Sequence, residues 1–378
     1  MMKAALYNDF NAPIEVTSVP KPRLNSPSSV IVQVMATGVC RSDWHGWKGH
    51  DDDIKNHGLP FIPGHELSGI VVKIGNSVEK IKSGDRVAIP FILSCGCCAE
   101  CRLDKPTVCL KQSQPGFTMN GSFAEYVEIT RADRNVRVLP PGVSFVEAAA
   151  LGCRFTTAYR AVVQQGLGML NGSHRESGVS PTKKILCVFG CGGLGLSCIM
   201  IAKAFQEEGN IQSIIAVDVS KKALDKALEL GADHIVDVSA LGMMDEAVRK
   251  RVMELTNGLG AELTIDAAGF ASTCENAIHN CRRGGRMVQV GLPIGGRQPQ
   301  IPMGSVVGKE LEIVGSHGFA ASELPDLLNL VQSGKLQVKK LIEKEVSLKE
   351  GVEALMAMDR ESPLGMTVIT RFDDSSRL

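Results

Sequence analysis

A chain of 378 residues is too long for one ordinary hydrophobic core and predicts two domains. Lys plus Arg and Asp plus Glu number 41 each, so the formal net charge is zero; with no basic run either, nothing favours nucleic acid or an acidic surface as a partner. The start, Met1 to Asn8, lacks a basic stretch followed by an apolar one, so the expected location is cytoplasmic, where twelve cysteines bind metal or sit buried rather than form disulfides.

The first 35 residues read as β-structure, with Lys3 to Tyr7 and Val30 to Met35 as strands around the Pro-rich connection Val19 to Pro27. Then come Gly38-Val39-Cys40-Arg41-Ser42-Asp43-Trp44-His45 and, further on, Pro63-Gly64-His65-Glu66. Cys and His in separate short loops, each beside a carboxylate, are the residue types of a zinc site and its supporting shell. Either loop alone fits a buried Cys or a capped His equally well. Gly69 to Gly75 and Asp85 to Ile89 read as further strands of a small barrel-like β domain.

Cys95, Cys98, Cys101 and Cys109 follow in the spacing C-x2-C-x2-C-x7-C. Four thiolates so close can close a tetrahedron round zinc without help from the rest of the chain. An iron–sulfur cluster or a patch of thiols is the alternative, and Cys97 is left as a spare thiol. Zinc with four thiolates has no open position, so it holds a loop and binds no substrate. After a turn and strand at Gly121 to Thr130, Val146 to Tyr159 reads as helical and carries Cys153 near the junction of the two halves. Read alone, Cys153 is a small buried apolar residue. Gln165 to Lys184, with His174, reads as a polar surface loop.

The second half opens on Ile185 to Phe189, an apolar run followed by Gly190, Gly192 and Gly195 and then by the apolar helix Leu196 to Phe205. A strand, a G-x-G-x-x-G turn and a helix start form a cradle for a pyrophosphate. Residues 185 to 202 are uncharged, but the glycines fit a buried parallel strand and not a membrane span. The next strand, Ile214 to Val217, ends in Asp218, whose carboxylate suits a ribose hydroxyl and repels a 2′-phosphate, favouring NAD. Ser220 caps a helix carrying Ala223, Leu224, Ala227 and Leu228, which Gly231 ends. His234 to Val238, Leu263 to Ala267, Arg286 to Val290 and Leu311 to Val314 bring the strands to six, and their alternation with helices specifies a doubly wound parallel sheet. Two helices, Glu323 to Ser333 and Leu348 to Asp359, and a strand, Met366 to Arg371, are expected to fold back on the first domain.

With these residues in hand, the chain resembles the zinc-dependent alcohol dehydrogenases of the medium-chain dehydrogenase/reductase family over nearly its whole length. Gly64-His65-Glu66, the four-cysteine loop, Gly152-Cys153-Arg154-Phe155 and the glycine turn stand in the family's order. The resemblance implies an α/β protein: a GroES-like β-rich catalytic domain over residues 1–154 and 317–378, and a Rossmann NAD-binding domain over 155–316, with a cleft between them. It makes Cys40, His65 and Cys153 the ligands of a catalytic zinc with Glu66 beside the metal. Together with Cys95, Cys98, Cys101 and Cys109 on a structural zinc, that gives two zinc ions per chain.

The resemblance further implies that alcohol binds at the open metal position and gives hydride to NAD. Ser42 and His45 match a proton relay ending at the surface, and Asp43 a partner of the zinc histidine. Arg41 matches a pyrophosphate contact and Thr157 a neighbour of the nicotinamide, with Gly190, Gly192, Gly193, Leu194, Gly195, Asp218 and Val290 also against the cofactor. Trp44, Trp47 and Phe91 are candidates for the substrate pocket or for the core. Met366 stands where many relatives carry a phosphate-binding arginine. The expected activity is reversible oxidation of a small alcohol to an aldehyde or ketone by a homo-oligomer, dimer or tetramer, with no nucleic acid or membrane partner. The alternatives are a polyol dehydrogenase on the same scaffold and a zinc-stabilised NADH sensor without turnover.

Overall fold

The computed structural model describes residues 1–170, 173–174, 184–293 and 296–372. They form two compact units, Met1–Thr156 with Gly318–Leu378, and Thr157–His317.

The first unit is built on a seven-stranded sheet. Its path runs Ile342–Ser347, Met366–Arg371, Val30–Val39, Glu66–Ile74, Arg86–Ile89, Arg137–Val138, with Tyr126–Ile129 also paired to Val30–Val39. Val30–Val39 is central because its β-branched side chains are buried on both faces. Val30, Val32, Val34, Leu67, Val71, Val87 and Ile89 share one core, and each such side chain contributes about 1.5–3 kcal/mol on burial. A slip of one residue would turn these side chains outward, so the register is fixed. In that register Gly38 lies opposite Glu66, which sets Cys40 and His65 at adjacent strand ends. Met2–Leu6 and Glu15–Val19 form a separate two-stranded sheet, bridged at Ala4 to Ala124 and at Tyr7 to Phe61.

Several of the local structures differ from expectation. Arg41–Trp47 is a helix, not a loop; Asp43 at its third position accepts the Cys40 N–H at 3.1 Å and starts the turn. The run holding Cys153 is α-helical only over Phe145–Ala150 and continues as a π turn, Leu151–Phe155, a feature frequent at functional sites. Leu324–Gln332 and Leu348–Ala357 are helices, the second started by a reciprocal Ser347–Glu350 cap that buries Leu348, Val352 and Leu355. Ile342–Ser347, too charged to read as a strand, is the sheet's edge.

The second unit is a six-stranded parallel sheet in the order His234–Asp237, Ile211–Asp218, Lys184–Phe189, Ala261–Asp266, Cys281–Gln289, Glu312–Gly315. Numbered from Lys184–Phe189 the order is 3-2-1-4-5-6, that of the dinucleotide-binding doubly wound fold. Helix Lys221–Leu230 is capped by Ser220 and buries Ala223, Leu224, Ala227 and Leu230, whereas Leu228 is 42% exposed. Helical backbone continues to Leu167 and ends at Gly168 with φ +74°, so the loop expected from Gln165 starts later. Most of that loop, and the side chain of His174, lie outside the described residues.

Candidate active site

In the first unit, ligand atoms of Cys40, His65, Glu66 and Cys153 all lie within 4.8 Å of one another. Cys40 closes the central strand, His65 and Glu66 open its neighbour, and Cys153 projects from the π turn. At Gly152 a Cβ would lie 2.7 Å from Glu66 Cα, so only glycine lets the turn approach. Asp43 is 1% exposed and organises the group. Its Oδ1 accepts from His65 Nδ1 at 2.8 Å and from the Gly64 N–H at 3.0 Å, and its Oδ2 takes the Cys40 N–H. With Nδ1 engaged, His65 Nε2 is buried without a partner, and so is Glu66 Oε2. Buried polar atoms are rarely left so. Two thiols, an imidazole nitrogen and a carboxylate in one buried cluster are a donor set suited to zinc.

The electrostatics agree. A hydrogen bond from the Cys153 thiol holds Cys40 well below the ordinary thiol range, against burial and with help from His65 and Arg154. Burial presses on the His65 imidazolium, but the Asp43 carboxylate and the Cys40 thiolate outweigh it, and the imidazole pKa lies well above its usual value. Burial pushes Glu66 up to about 7 although the Arg154 guanidinium, 3.3 Å away, opposes it. Binding of a cation here would therefore displace protons.

The four-cysteine loop forms a second cluster in the same unit. Cys95 and Cys101 sulfurs are 4.0 Å apart and those of Cys98 and Cys109 are 3.7 Å apart. A zinc–thiolate tetrahedron with bonds of about 2.3 Å has edges of about 3.8 Å, so the loop is already near that shape. Backbone N–H groups of Cys97 and Cys98 donate to Cys95 Sγ, and those of Cys95 and Lys111 to Cys109 Sγ. The Cys97 N–H foremost brings Cys95 down to about 5, while burial pushes Cys109 up to about 12. Cys97 is exposed, its thiol 3.6 Å from Cys95.

In the second unit, Gly190 has φ +91°, and a Cβ at Gly195 would lie 1.8 Å from the Gly190 carbonyl oxygen. Gly192 faces open space at the start of the 15-residue helix Gly193–Glu207, where free N–H groups can meet a pyrophosphate. Asp218 ends its strand, its two oxygens accepting from the N–H groups of Cys191 and Ser220 at 2.6 and 2.7 Å. Leu194 lies in the first helical turn, Val290 is buried after its strand, and Thr157 is half-buried.

Ser42 and His45 stand on one face of helix Arg41–Trp47, Ser42 Oγ 3.8 Å from Cys40 Sγ. His45 is half-buried and its Nδ1 lies 3.0 Å from His50 Nδ1. The Arg41 guanidinium caps the Trp44 ring at 3.8 Å, and Trp44 Nε1 donates to Asp359. Trp47 is buried and bonded to the Ala12 carbonyl, whereas Phe91 packs edge-on to His65 with ring centres 5.9 Å apart. Met366 is fully buried in its strand, and Cys187, Cys198, Cys274 and Cys281 are buried in the second unit.

Residues 26–141 match the family model for the alcohol dehydrogenase GroES-like domain, and residues 193–333 that for zinc-binding dehydrogenase. An alcohol dehydrogenase of Geobacillus stearothermophilus is 34% identical over 343 residues, 90% of this chain and 92% of the relative. The chain belongs to the zinc-dependent alcohol dehydrogenases of the medium-chain dehydrogenase/reductase family. A protein of Emericella nidulans named "Probable D-xylulose reductase A" is 33% identical over 346 residues, 89% of this chain and 87% of that one. Alcohol dehydrogenase TADH from Thermus sp. ATN1 superposes with TM-score 0.84 at 27% identity, covering 98% of this chain and all of the other. Like other zinc-dependent alcohol dehydrogenases, the chain is an oxidoreductase of alcohols or polyols.

Three features of this alcohol dehydrogenase's site were not assigned from sequence. Arg154 is buried, pairs with Glu66 and donates to the Val39 carbonyl at 3.0 Å; its place beside Cys153 was the available signal. The Phe117 ring lies 5.0 Å from the His65 ring and, with Phe91, walls the cluster; no local pattern marks it. The His45–His50 contact depends on how the helix ends.

Proposed function

We propose that the protein is an NAD-dependent alcohol dehydrogenase holding two zinc ions, a catalytic one at Cys40, His65 and Cys153 beside Glu66 and a structural one at Cys95, Cys98, Cys101 and Cys109. The observation that carries this reading is the unpartnered, buried His65 Nε2 within a cluster of four donors. When bound, zinc and NAD supply Lewis-acid polarisation of the substrate oxygen and acceptance of hydride. Asp43 holds His65 Nδ1 and so fixes the ring, which would leave Nε2 to hold the metal. Phe91 and Phe117 keep water from the imidazole. Ser42 takes the proton of the alcohol, and His45, on the same helical face, carries it outward.

The nicotinamide cofactor falls to residues 155–316 and the metal sites to residues 1–154 and 317–378. Gly190, Gly192, Gly193, Leu194 and Gly195 cradle the pyrophosphate, and Asp218 meets the adenosine ribose. Thr157 and Val290 sit beside the nicotinamide. We further place the protein in the cytoplasm, in keeping with cysteines that are all free thiols and with the lack of any described helix long and apolar enough to cross a membrane. It works as a homo-oligomer, for which the edge strand Glu312–Gly315 and the exposed Met303 and Val307 offer a surface. A polyol as substrate is the second reading, favoured by the relative named for D-xylulose reduction.

The deciding experiment is a panel of alcohols, polyols and carbonyl compounds followed by NADH absorbance on zinc-loaded protein. Turnover is expected, with NAD preferred over NADP at least about tenfold, or about 1.4 kcal/mol, and Asp218→Ser should narrow that ratio. Lack of turnover on every compound by protein carrying two zincs would favour a sensor instead.

A further inference from the structure

Helix Arg41–Trp47 ends on a glycine turn. Gly49 has φ +72°, its N–H donates to the Gly46 carbonyl at 2.9 Å, and the His50 N–H donates to the His45 carbonyl at 3.0 Å. This pair of bonds closes many helices and brings the residue after the glycine against the one three from the helix end. The contact is usually apolar, but here it joins two imidazoles. His45 Nδ1 and His50 Nδ1 are 3.0 Å apart, the ring centres are 5.4 Å apart, and Trp44 stands edge-on to both. A hydrogen bond between two ring nitrogens needs one to donate and the other to accept. The turn cannot readily be rebuilt, since a Cβ at Gly49 would meet Phe10 Cγ at 3.0 Å. His45 is half-buried and His50 is exposed, so the pair forms a step from the interior to water.

We propose that His50 is the outer member of the proton path, receiving the proton from His45 and releasing it to solvent; this rests on the reading of Ser42 and His45 as a relay. Burial first, then the Arg41 guanidinium and His50, hold His45 down at about 4, with Cys40 pulling the other way. His45 therefore does not keep a proton at neutral pH and must hand it on. The remaining charges around Trp44 are engaged elsewhere: Lys48 pairs with Asp359 at 3.1 Å, and Arg41 donates to the Met358 carbonyl. Each ring takes a proton at one nitrogen and gives one from the other. His45 receives at Nε2 and gives from Nδ1, and His50 receives at Nδ1 and releases from Nε2 to water or a buffer base. No electrons travel this path; the alcohol's electron pair leaves with hydride to NAD.

The test uses zinc-loaded full-length enzyme, NAD, and whichever of ethanol, 2-propanol and xylitol it oxidises fastest, in dilute phosphate buffer. Single-turnover NADH formation is followed from pH 6 to 10 for His50→Gln, His50→Leu, His45→Gln, the His45→Gln/His50→Gln pair and Ser42→Ala. Both His50 variants should be slowed about tenfold near pH 7, less than a positioned first acceptor costs, with KM unchanged. The loss should close above about pH 9, where hydroxide takes the proton, and added imidazole should restore the rate. The double variant should be no slower than His45→Gln. Leucine refills the contact, so a leucine variant as fast as the unmodified enzyme would reduce His50 to packing and overturn the proposal. A slowed Ser42→Ala beside an unaffected His50→Gln would overturn it while leaving the relay in place. An unaffected Ser42→Ala, or no turnover of any of the three alcohols, would overturn the relay reading and this inference together.

Discussion

The two metal-capable clusters are made by opposite means. Cys95, Cys98, Cys101 and Cys109 lie within one short loop, and the backbone of that loop feeds N–H groups to their sulfurs. Around it Leu103, Val108 and Leu110 are exposed. The buried cluster draws on three separate stretches of chain, mixes thiol, imidazole and carboxylate, and is held by sheet register and by Asp43. The loop has only its own short backbone to hold its donors in place, whereas the donors of the buried cluster are fixed by strands that the rest of the core also holds.

Losing a donor should therefore have unlike results. Cys153→Ser should abolish alcohol oxidation and lower zinc content from two ions per chain to one, with the melting temperature nearly unchanged. Metal analysis, calorimetry and NADH formation on one preparation check this, and a collapse in folding would erase the contrast. Cys101→Ser should also lose one zinc, but its cost should appear as lower thermal stability and aggregation, with turnover per folded chain retained.

Asp43→Asn sharpens the comparison because it touches one cluster alone. Removing a carboxylate behind a metal-binding histidine weakens metal affinity by about 10–100-fold. Competition with a chromophoric chelator should show one zinc released earlier and the other as before. Equal weakening of both would mean that the clusters are coupled.

The smallest effect concerns pH. Glu66 stands at about 7, above its unfolded value of 4.5, chiefly through burial. A raised carboxyl pKa contributes stability that is complete below the unfolded value and is lost as pH rises through the folded one. Without zinc, the unmodified chain should therefore lose more melting temperature between pH 6 and pH 8 than a Glu66→Gln variant does, as calorimetry would show. The raised His65 imidazole and the lowered Cys40 and Cys95 thiols titrate in both proteins, so the comparison isolates the Glu66 carboxyl.

The same division explains what could be read in the sequence. The cysteine loop is legible because spacing alone brings its donors together, and the glycine turn because Gly190, Gly192 and Gly195 have local reasons to be glycine. The six parallel strands follow from apolar runs alternating with helices. Cys40, His65 and Cys153 carry no such local mark, since strand register brings them together, and they were legible only through the resemblance to a family. Helix Arg41–Trp47 escaped because it is short and contains Gly46; its sign was Asp43 three residues after Cys40. The surroundings of Trp44, a pocket candidate, are tertiary and could not be read from sequence: Arg41 covers its ring and Asp359 accepts from its indole N–H. Phe117 was out of reach, because its contact with His65 is purely tertiary.

Asp43 has a consequence for how a metal at the proposed site would come and go. By holding His65, 22 residues away, it closes a loop of chain through the protein's own side chains. Closing a flexible loop of that length costs roughly 3 kcal/mol of entropy, and folding has met that cost before the ion arrives. Little of the binding energy is then spent on ordering the chain, and departure of the ion leaves a vacant seat rather than a loosened strand. Metal stripped from this position by a chelator should be replaceable by simple addition, without refolding, so that exchange for cobalt or cadmium is a property of the folded enzyme.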